Sequence, residues 1–472
     1  MPGAAVARKA VVYGAFPIVA LAATITLETG ERGSLSQAAD GIQAQFHVSD
    51  TWIGALPAAM TIVGVLGSIP FGHLADHRRR TWLLAGAMAV WTLVMGLSAL
   101  APTFAVLFIT RLGVGIVEAN GPASISLISD YYPASDRAKQ IGLYNSGGLL
   151  GSALGLGLSG VIVDHYGWRS AFWMWIPFGI VTVVMLLRLH EPRRGDHDTD
   201  FGPEITLDEA TALGGVHVAE LAGTLDLPPP TRTSTLDYRT ATWRQAYREI
   251  FRIRSMWFGV LGITVAQAPL AGLGFWAVPF FKEAYGLSGA AAGGYVVVFG
   301  LGAAVGVISG GFVADRFLRR GIVNARIYVV AVSAFLATAL MIPAFASTNL
   351  AVTIPLFLVG GYFLTLPLAP ADAMLSDVVV APLRGRAAAV RAIVRSLAGL
   401  MPLIIGIINS ATSLRFALIV VTPFYALGGL LVLIAAKTYP ADLAFVIAES
   451  ERVRAQLDEP DAGVSFVGGS EG

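Results

Sequence analysis

Long apolar runs broken by short polar loops dominate the pattern of this chain. A membrane-spanning helix needs roughly 20 mostly apolar residues. Segments of that kind fall near 11–42, 51–75, 81–101, 104–130, 138–163 and 168–189 (spans 1–6). They recur near 255–284, 288–314, 323–345, 349–376, 386–410 and 414–437 (spans 7–12). Between the two sets lies the polar stretch His190 to Ile253, with HEPRRGDHDTD and the proline-rich LDLPPPTRTST. The pattern predicts an all-α membrane protein of twelve transmembrane helices in two six-helix bundles. The bundles are residues 1–190 and 254–438, joined by a linker at 191–253 and followed by a tail at 439–472. Surface helices are predicted at 205–222 and 241–252, and a short amphipathic helix at 441–456.

The first run has two readings. Ala10 to Leu27 carries no charge, and then TITLETGERGSLSQ (Thr24 to Gln37) brings in Glu28, Glu31 and Arg32. Hydropathy alone ends span 1 at Leu27 and makes the rest a polar loop. Yet Leu35, Ala38, Ala39, Ile42 and Phe46 recur at helical spacing, which carries the helix to about Gln43 with one polar face. On that reading Glu31 lies at a depth similar to that of Glu118 in span 4, given a rise of about 1.5 Å per residue.

Composition narrows the class. Hydrophobic residues make up 55% of the 472 and charged residues 13%, against about 25% charged in a soluble domain. The net charge of +1 gives no footprint for nucleic acid. With no cysteine there is no disulfide, thiol chemistry or cysteine metal site. There is no HExxH, nucleophile elbow, histidine cluster or Walker A sequence, so neither an enzyme nor an ATP-driven pump is predicted, and no metal or cofactor. No small-residue cleavage site follows the first run, so it reads as a retained helix.

Charge orients the bundle. Arg8 and Lys9, Arg78 to Arg80, Arg137 and Lys139, Arg193 and Arg194, Arg316, Arg319 and Arg320, and Arg384 and Arg386 fall in alternate loops. The intervening loops hold only Arg169, Lys282 and Arg415. The positive-inside rule then predicts cytoplasmic termini and a cytoplasmic linker in a bacterial-type inner or plasma membrane.

The halves repeat each other. Gly72-His-Leu-Ala-Asp76 with Arg78 to Arg80 recurs as Gly311-Phe-Val-Ala-Asp315 with Arg316, Arg319 and Arg320. Ser129-Asp130 with Arg137 recurs as Ser376-Asp377 with Arg384, seven residues after the acid in both cases. Six-plus-six repeats are a transporter signature. Asp76 falls where the inward-pointing N-terminus of span 11 would stabilise a carboxylate by roughly 0.3–1 kcal/mol, and Asp315 could do the same for span 5. The glycine-rich run SGGLLGSALGLGLSG (Ser146 to Gly160) allows close helix approach, as small-xxx-small patterns do. It reads as a tight interface between halves that must slide.

Charges at bilayer depth cost at least ~2.5 kcal/mol each on insertion scales, so each is a functional hypothesis. Glu118 is near the middle of span 4, with Arg111 two turns earlier on the same face. The pair reads as a structural ion pair or as part of a transport site. Arg391 and Arg395 stand one turn apart in span 11. They read as snorkelling side chains or as a cradle for an anionic head group. Gln267, Trp276, Asp372 and Asn145 are weaker cavity candidates.

These motifs resemble the major facilitator superfamily over the whole chain. GHLADHRRR is similar to its loop 2–3 motif G-x-L-a-D-R-x-G-R-[KR], with His77 in place of the arginine. RLGVGIVEANGP (Arg111 to Pro122) is similar to its fourth-helix R-x-x-x-G. ETGERGSLSQAADGIQAQF resembles the Spinster pattern N-Y-L-D-R-Y-L-L-A-x-x-L-P-D-I-x-x-x-F, with Glu31 on the aspartate and Arg32 on the arginine. GVGIVEA resembles the Spinster G-I-G-E-A with Glu118 on the glutamate, and MPLIIG its G-P-L-x-x-G. Glu for Asp, Val117 for Gly and the missing Asn-Tyr are departures.

The resemblance implies alternating access. A cytoplasmic latch would be built on Gly72, Asp76, Arg80, Asp130, Arg137, Asp315, Asp377 and Arg384. Proton coupling would run through Glu31, Arg32, Glu118 and Arg111, with Arg32 moving between the two acids. The expected function is a proton-coupled secondary transporter of an anionic or amphipathic molecule such as a lysophospholipid. The alternatives are a multidrug or organic-acid transporter of the same superfamily and, remotely, a non-transporting receptor. The expected partners are that substrate and membrane lipids, with no nucleic acid, and the chain acting as a monomer. Arg395, Arg391, Gln267, Trp276 and Asn145 are the expected substrate contacts.

Overall fold

The computed structural model describes residues 14–118, 121–192, 227–230, 234, 236 and 242–458. The predicted surface helix at 205–222 lies outside them. So do the side chains of Asp76 and Arg137, and the surroundings of Gly72.

Ten helices among the described residues are long and apolar enough to cross a membrane. They are spans 2, 3 and 5 to 12. Span 4 is the apolar helix Phe104–Val117 followed by Gly121–Tyr131. Span 1 is one unbroken helix, Phe16–Phe46, which settles the open question at Leu27. With 31 residues it is about 46 Å long. It lacks the hydropathy of the other spans because part of its polar surface faces protein. Glu31, Ser34, Ser36 and Gln37 are all buried, where partners from neighbouring helices replace water. Span 1 ends where His47 takes a left-handed φ of 51°.

The remaining spans turn back at alternating faces. One face carries the ends at His77/Arg80, Tyr131, Arg254, Leu318, Asp377/Arg384 and Ala435, and is called the arginine-rich face below. The linker contributes a described helix, Trp243–Arg252, capped by Thr242 and Gln245 in a reciprocal box. The tail contributes Tyr439–Asp458, and its Asp442 carboxylate accepts from Ser255 Oγ at 2.6 Å.

The glycine-rich run differs from the expectation in where it packs. Gly147 and Gly151 lie against the backbone of Ala22 and Thr26, and an ideal Cβ on Gly155 would sit 2.0 Å from Gly30 O. These contacts join span 5 to span 1 inside one half, not across the halves. The four-residue spacing makes one smooth face on which two backbones touch. The helix widens into a π turn, Leu154–Leu158, and from there on it also reaches the other half: a Cβ on Gly293 would meet Leu156 O at 1.9 Å, and one on Gly160 would meet Gly289 O at 2.7 Å.

Among the described residues, hydrogen bonds between the halves gather on the side away from the arginine-rich face. Ser36 Oγ donates to Phe275 O. Gln37 Nε2 donates to Leu156 O at 2.6 Å and to Gly289 O at 2.9 Å. Asp164 accepts from the Gly289 and Ala290 amides, and Lys282 pairs with Asp40 at 2.5 Å. Gly293→Leu should therefore wedge this seam open. In this cysteine-free chain, an Asp40→Cys thiol should react several-fold faster with a membrane-impermeant maleimide when Gly293→Leu is present.

Candidate functional site

Span 1 sends two consecutive charges to span 4. Glu31 pairs with Arg111, both side chains fully buried. Arg32 Nη2 donates to Glu118 Oε2 at 2.5 Å, with Arg32 61% exposed and Glu118 6%. Arg32 thus meets Glu118, one of the two acids between which it was expected to move, while Arg111 takes the other. Arg111 pairs with Glu31 from span 1 and not with Glu118 along its own helix. Successive residues on a helix point about 100° apart, so Glu31 faces the packed interior and Arg32 an accessible space.

The two pairs have different settings. Arg111 also donates to Ser98 Oγ and stacks over the Phe172 ring at 4.7 Å. Ser98 Oγ itself lies 2.7 Å from Val94 O. This end is held on three sides. Glu118 stands just past Val117, where the first helix of span 4 ends. Among the described residues its Oε1 has no hydrogen-bond partner, and neither has Glu31 Oε2. Each acid thus has one oxygen held by an arginine and one without a hydrogen-bond partner among the described residues.

In the second half, Arg395 Nη1 donates to Asp372 Oδ1 at 2.5 Å and its Nη2 to Gln267 Oε1 at 3.2 Å. Asp372 is 61% exposed and Arg395 30%. Arg391 has a buried Nη1 with no partner among the described residues. Arg391, Arg395, Gln267 and Asp372 thus form one cluster from spans 7, 10 and 11. Trp276 does not join it: its ring is buried and its Nε1 donates to Pro402 O at 2.8 Å. Trp276 instead borders a cavity of about 490 Å³ on the side away from the arginine-rich face. Asn145 is exposed on span 5, with no hydrogen bond to the cluster.

At the arginine-rich face the described acids meet arginines that arrive from neighbouring helices, and Arg80 and Asp130, both in the expected latch, meet each other. Asp130 takes Arg80 Nη1 at 2.5 Å, and Arg80 Nε reaches Glu191 at 3.0 Å. Burial opposes ionisation of the Glu191 carboxyl, but bonds from Thr81 and Arg80 outweigh it and hold the group below the usual carboxylate range. In the second half Asp377 pairs with Arg326 and accepts from Tyr439 Oη at 2.7 Å. Asp315 also meets Arg326, at 3.3 Å, a partner on span 9. Arg384 is exposed, and its Nε donates to Val379 O at 3.3 Å.

Arg326 was missed because it lies outside the motif spacing. Its signal is position: Arg80 opens span 3 and Arg326 is the second residue of span 9, the third helix of each half. Removing one partner of a buried pair costs about 3–5 kcal/mol. Arg80→Leu and Arg326→Leu should each lower the melting temperature in detergent markedly, while Arg384→Leu should leave it nearly unchanged.

Comparison with known proteins agrees with this architecture. A profile of the Major Facilitator Superfamily matches residues 20–401. The uncharacterized transporter YybO of Bacillus subtilis is 24% identical over 65% of this chain and 66% of its own length. A probable L-galactonate transporter of Escherichia coli is 26% identical over 62% and 59%. Probable sphingolipid transporter spinster homolog 1 of Arabidopsis thaliana is 25% identical over 71% and 66%. The alignments therefore span less than two thirds of these relatives' lengths. A bacterial homolog of the human lysosomal transporter Spinster, in an inward-facing and occupied conformation, superposes with a TM-score of 0.72 at 21% identity, covering 90% of this chain and 97% of that one. A nucleoside transporter, NupG, superposes at 0.61 and 12% identity. Both share the two-bundle fold derived above from the repeat and the spans, and on the matched profile this chain belongs to the Major Facilitator Superfamily, a family of membrane transporters.

Proposed function

We propose that the chain is a proton-coupled secondary transporter of an anionic amphipath such as a lysophospholipid, with the arginine-rich face in the cytoplasm. The observation that carries the coupling is the Arg32–Glu118 pair, one member exposed and the other buried. Low dielectric favours the neutral acid and a facing arginine favours the anion. When Glu118 takes a proton it releases Arg32, which can then meet an anion in the space between the halves. When Arg32 returns, Glu118 gives the proton up. Glu31 and Arg111 hold span 1 against span 4 so that Arg32 stays in reach.

The substrate end is supported by Arg395 and Arg391. Arginine is weakly hydrated and binds carboxylate or phosphate in a fork. Asp372 then acts as a placeholder that an incoming anion displaces from Arg395. Relatives named for L-galactonate and hexuronate favour a second reading in which the anion is a sugar acid. Binding of lysophosphatidylglycerol and of galactonate to the purified chain separates the two. A shift in melting temperature with the lipid, lost in Arg395→Ala, supports the first reading. A shift with galactonate alone replaces it with the second, and no shift with either anion sinks both.

The direction of opening follows from the same contacts. The described cross-half bonds lie away from the arginine-rich face, which supports a state open to the cytoplasm. Energy would come from the proton gradient, with no cofactor.

A further inference from the structure

The three arginines that echo the first-half motif take no part in the acid pairs of the second half. Arg316, Arg319 and Arg320 are exposed, while among the described residues Arg326 holds both Asp315 and Asp377. Directly beneath them is an apolar niche of about 400 Å³, within the ~300–1,000 Å³ typical of small-ligand sites.

Spans 8 and 9 wall this niche and span 10 floors it, through Val313, Phe317, Tyr328, Val332, Tyr362 and Leu366. No residue lining it is charged. It is separate from the transport space, since none of Gln267, Asp372, Arg391 or Arg395 borders it. Along span 9 it runs from Ala325 to Ser333, eight residues or about 12 Å into the membrane.

Two features at its mouth select a negative charge. Arg320 lies over the ring of Phe317, one of the walls, at 5.8 Å. Span 9 begins at the mouth with Ala325, and no side chain caps that end, so the partial positive charge of the helix N-terminus points the same way. Phe317, Tyr328 and Val332 are at least partly exposed and turned toward an apolar surrounding.

We propose that this niche is a binding site for one anionic phospholipid from the leaflet on the arginine-rich side. An acyl chain lies along Val332, Tyr362 and Leu366, and the phosphate rests against Arg320 and the start of span 9, with Arg316 and Arg319 nearby. Basic pockets between transmembrane helices bind anionic head groups in this way. The lipid braces span 9 against spans 8 and 10 and is not cargo.

The test uses the full-length chain in nanodiscs of equal phosphatidylglycerol and phosphatidylcholine, released gently and examined by native mass spectrometry. The wild type should retain phosphatidylglycerol in preference to phosphatidylcholine. Arg320→Gln should reduce that preference by about fivefold, the effect of roughly one basic residue at the surface. Val332→Trp, which fills the niche but keeps every arginine, should lose the retained lipid. Arg320 and Val332 are both exposed, so both variants should melt like the wild type in phosphatidylcholine. Equal retention of the two lipids by the wild type overturns the proposal. So does retention that survives Val332→Trp, because the arginines alone would then hold the lipid.

Discussion

Glu118→Gln is expected to abolish pH-driven uptake while leaving substrate binding in place. Glutamine keeps the size and one hydrogen-bond acceptor for Arg32, but it cannot titrate. The variant therefore resembles a permanently protonated acid. Arg32 loses its anionic partner, and substrate exchange without a gradient continues. Coupling energies between sites run to about 1–3 kcal/mol, or 5–150-fold. Uptake of lysophosphatidylglycerol driven by an imposed pH gradient should fall by that order, to the rate seen without a gradient. Uptake by Glu118→Gln that still rises with the gradient removes Glu118 from the mechanism.

Arg111→Leu should be the most destabilising single change near the site. It leaves the Glu31 carboxylate fully buried without a cation, and breaking such a pair costs about 3–5 kcal/mol. Replacing both members by apolar residues of similar size is often neutral or stabilising. The double variant Glu31→Leu/Arg111→Leu should then regain most of the lost melting temperature. The comparison separates roles: a double variant that is stable and still coupled to the pH gradient makes Glu31–Arg111 a brace, with Glu118 the acid that titrates. A double variant no more stable than Arg111→Leu alone would show that the pair does not act as a unit.

The fold was legible because a lipid bilayer imposes its own length rule. Eleven of the twelve spans could be placed from apolar runs, with ends within a few residues of those observed. Span 1 was ambiguous for the reason that makes it functional: its charges are hidden by other helices, and hydropathy scores a side chain as though it met lipid. Helical spacing at Leu35, Ala38 and Ile42 supplied the correct extent.

Partnership was less legible than membership. The sequence brought Glu31, Arg32, Arg111 and Glu118 together and placed Arg32 within reach of Glu118, but it read Arg111 with Glu118 because the two share one helix. The actual crossing depends on the rotation of span 1 against span 4. That rotation is fixed by the contact of Gly30 with the Trp175 ring and by the glycine face of span 5, which no local pattern encodes. The same gap hid Arg326. The repeat of Ser376-Asp377 with Arg384 lies within one stretch of chain, whereas Asp377 takes Arg326 from another helix. Trp276, expected at a cavity, does border one, but on the side away from the arginine-rich face, and its indole hydrogen is committed to Pro402 O.

The central claim is that substrate movement and proton movement share Glu118. The most direct measurement is the internal pH of sealed proteoliposomes, read with a trapped dye, while a lysophosphatidylglycerol gradient is imposed in the absence of any pH gradient. The wild type should change the internal pH as lipid moves, and Glu118→Gln should move lipid with no pH change. Wild-type lipid transport at constant internal pH would contradict the account.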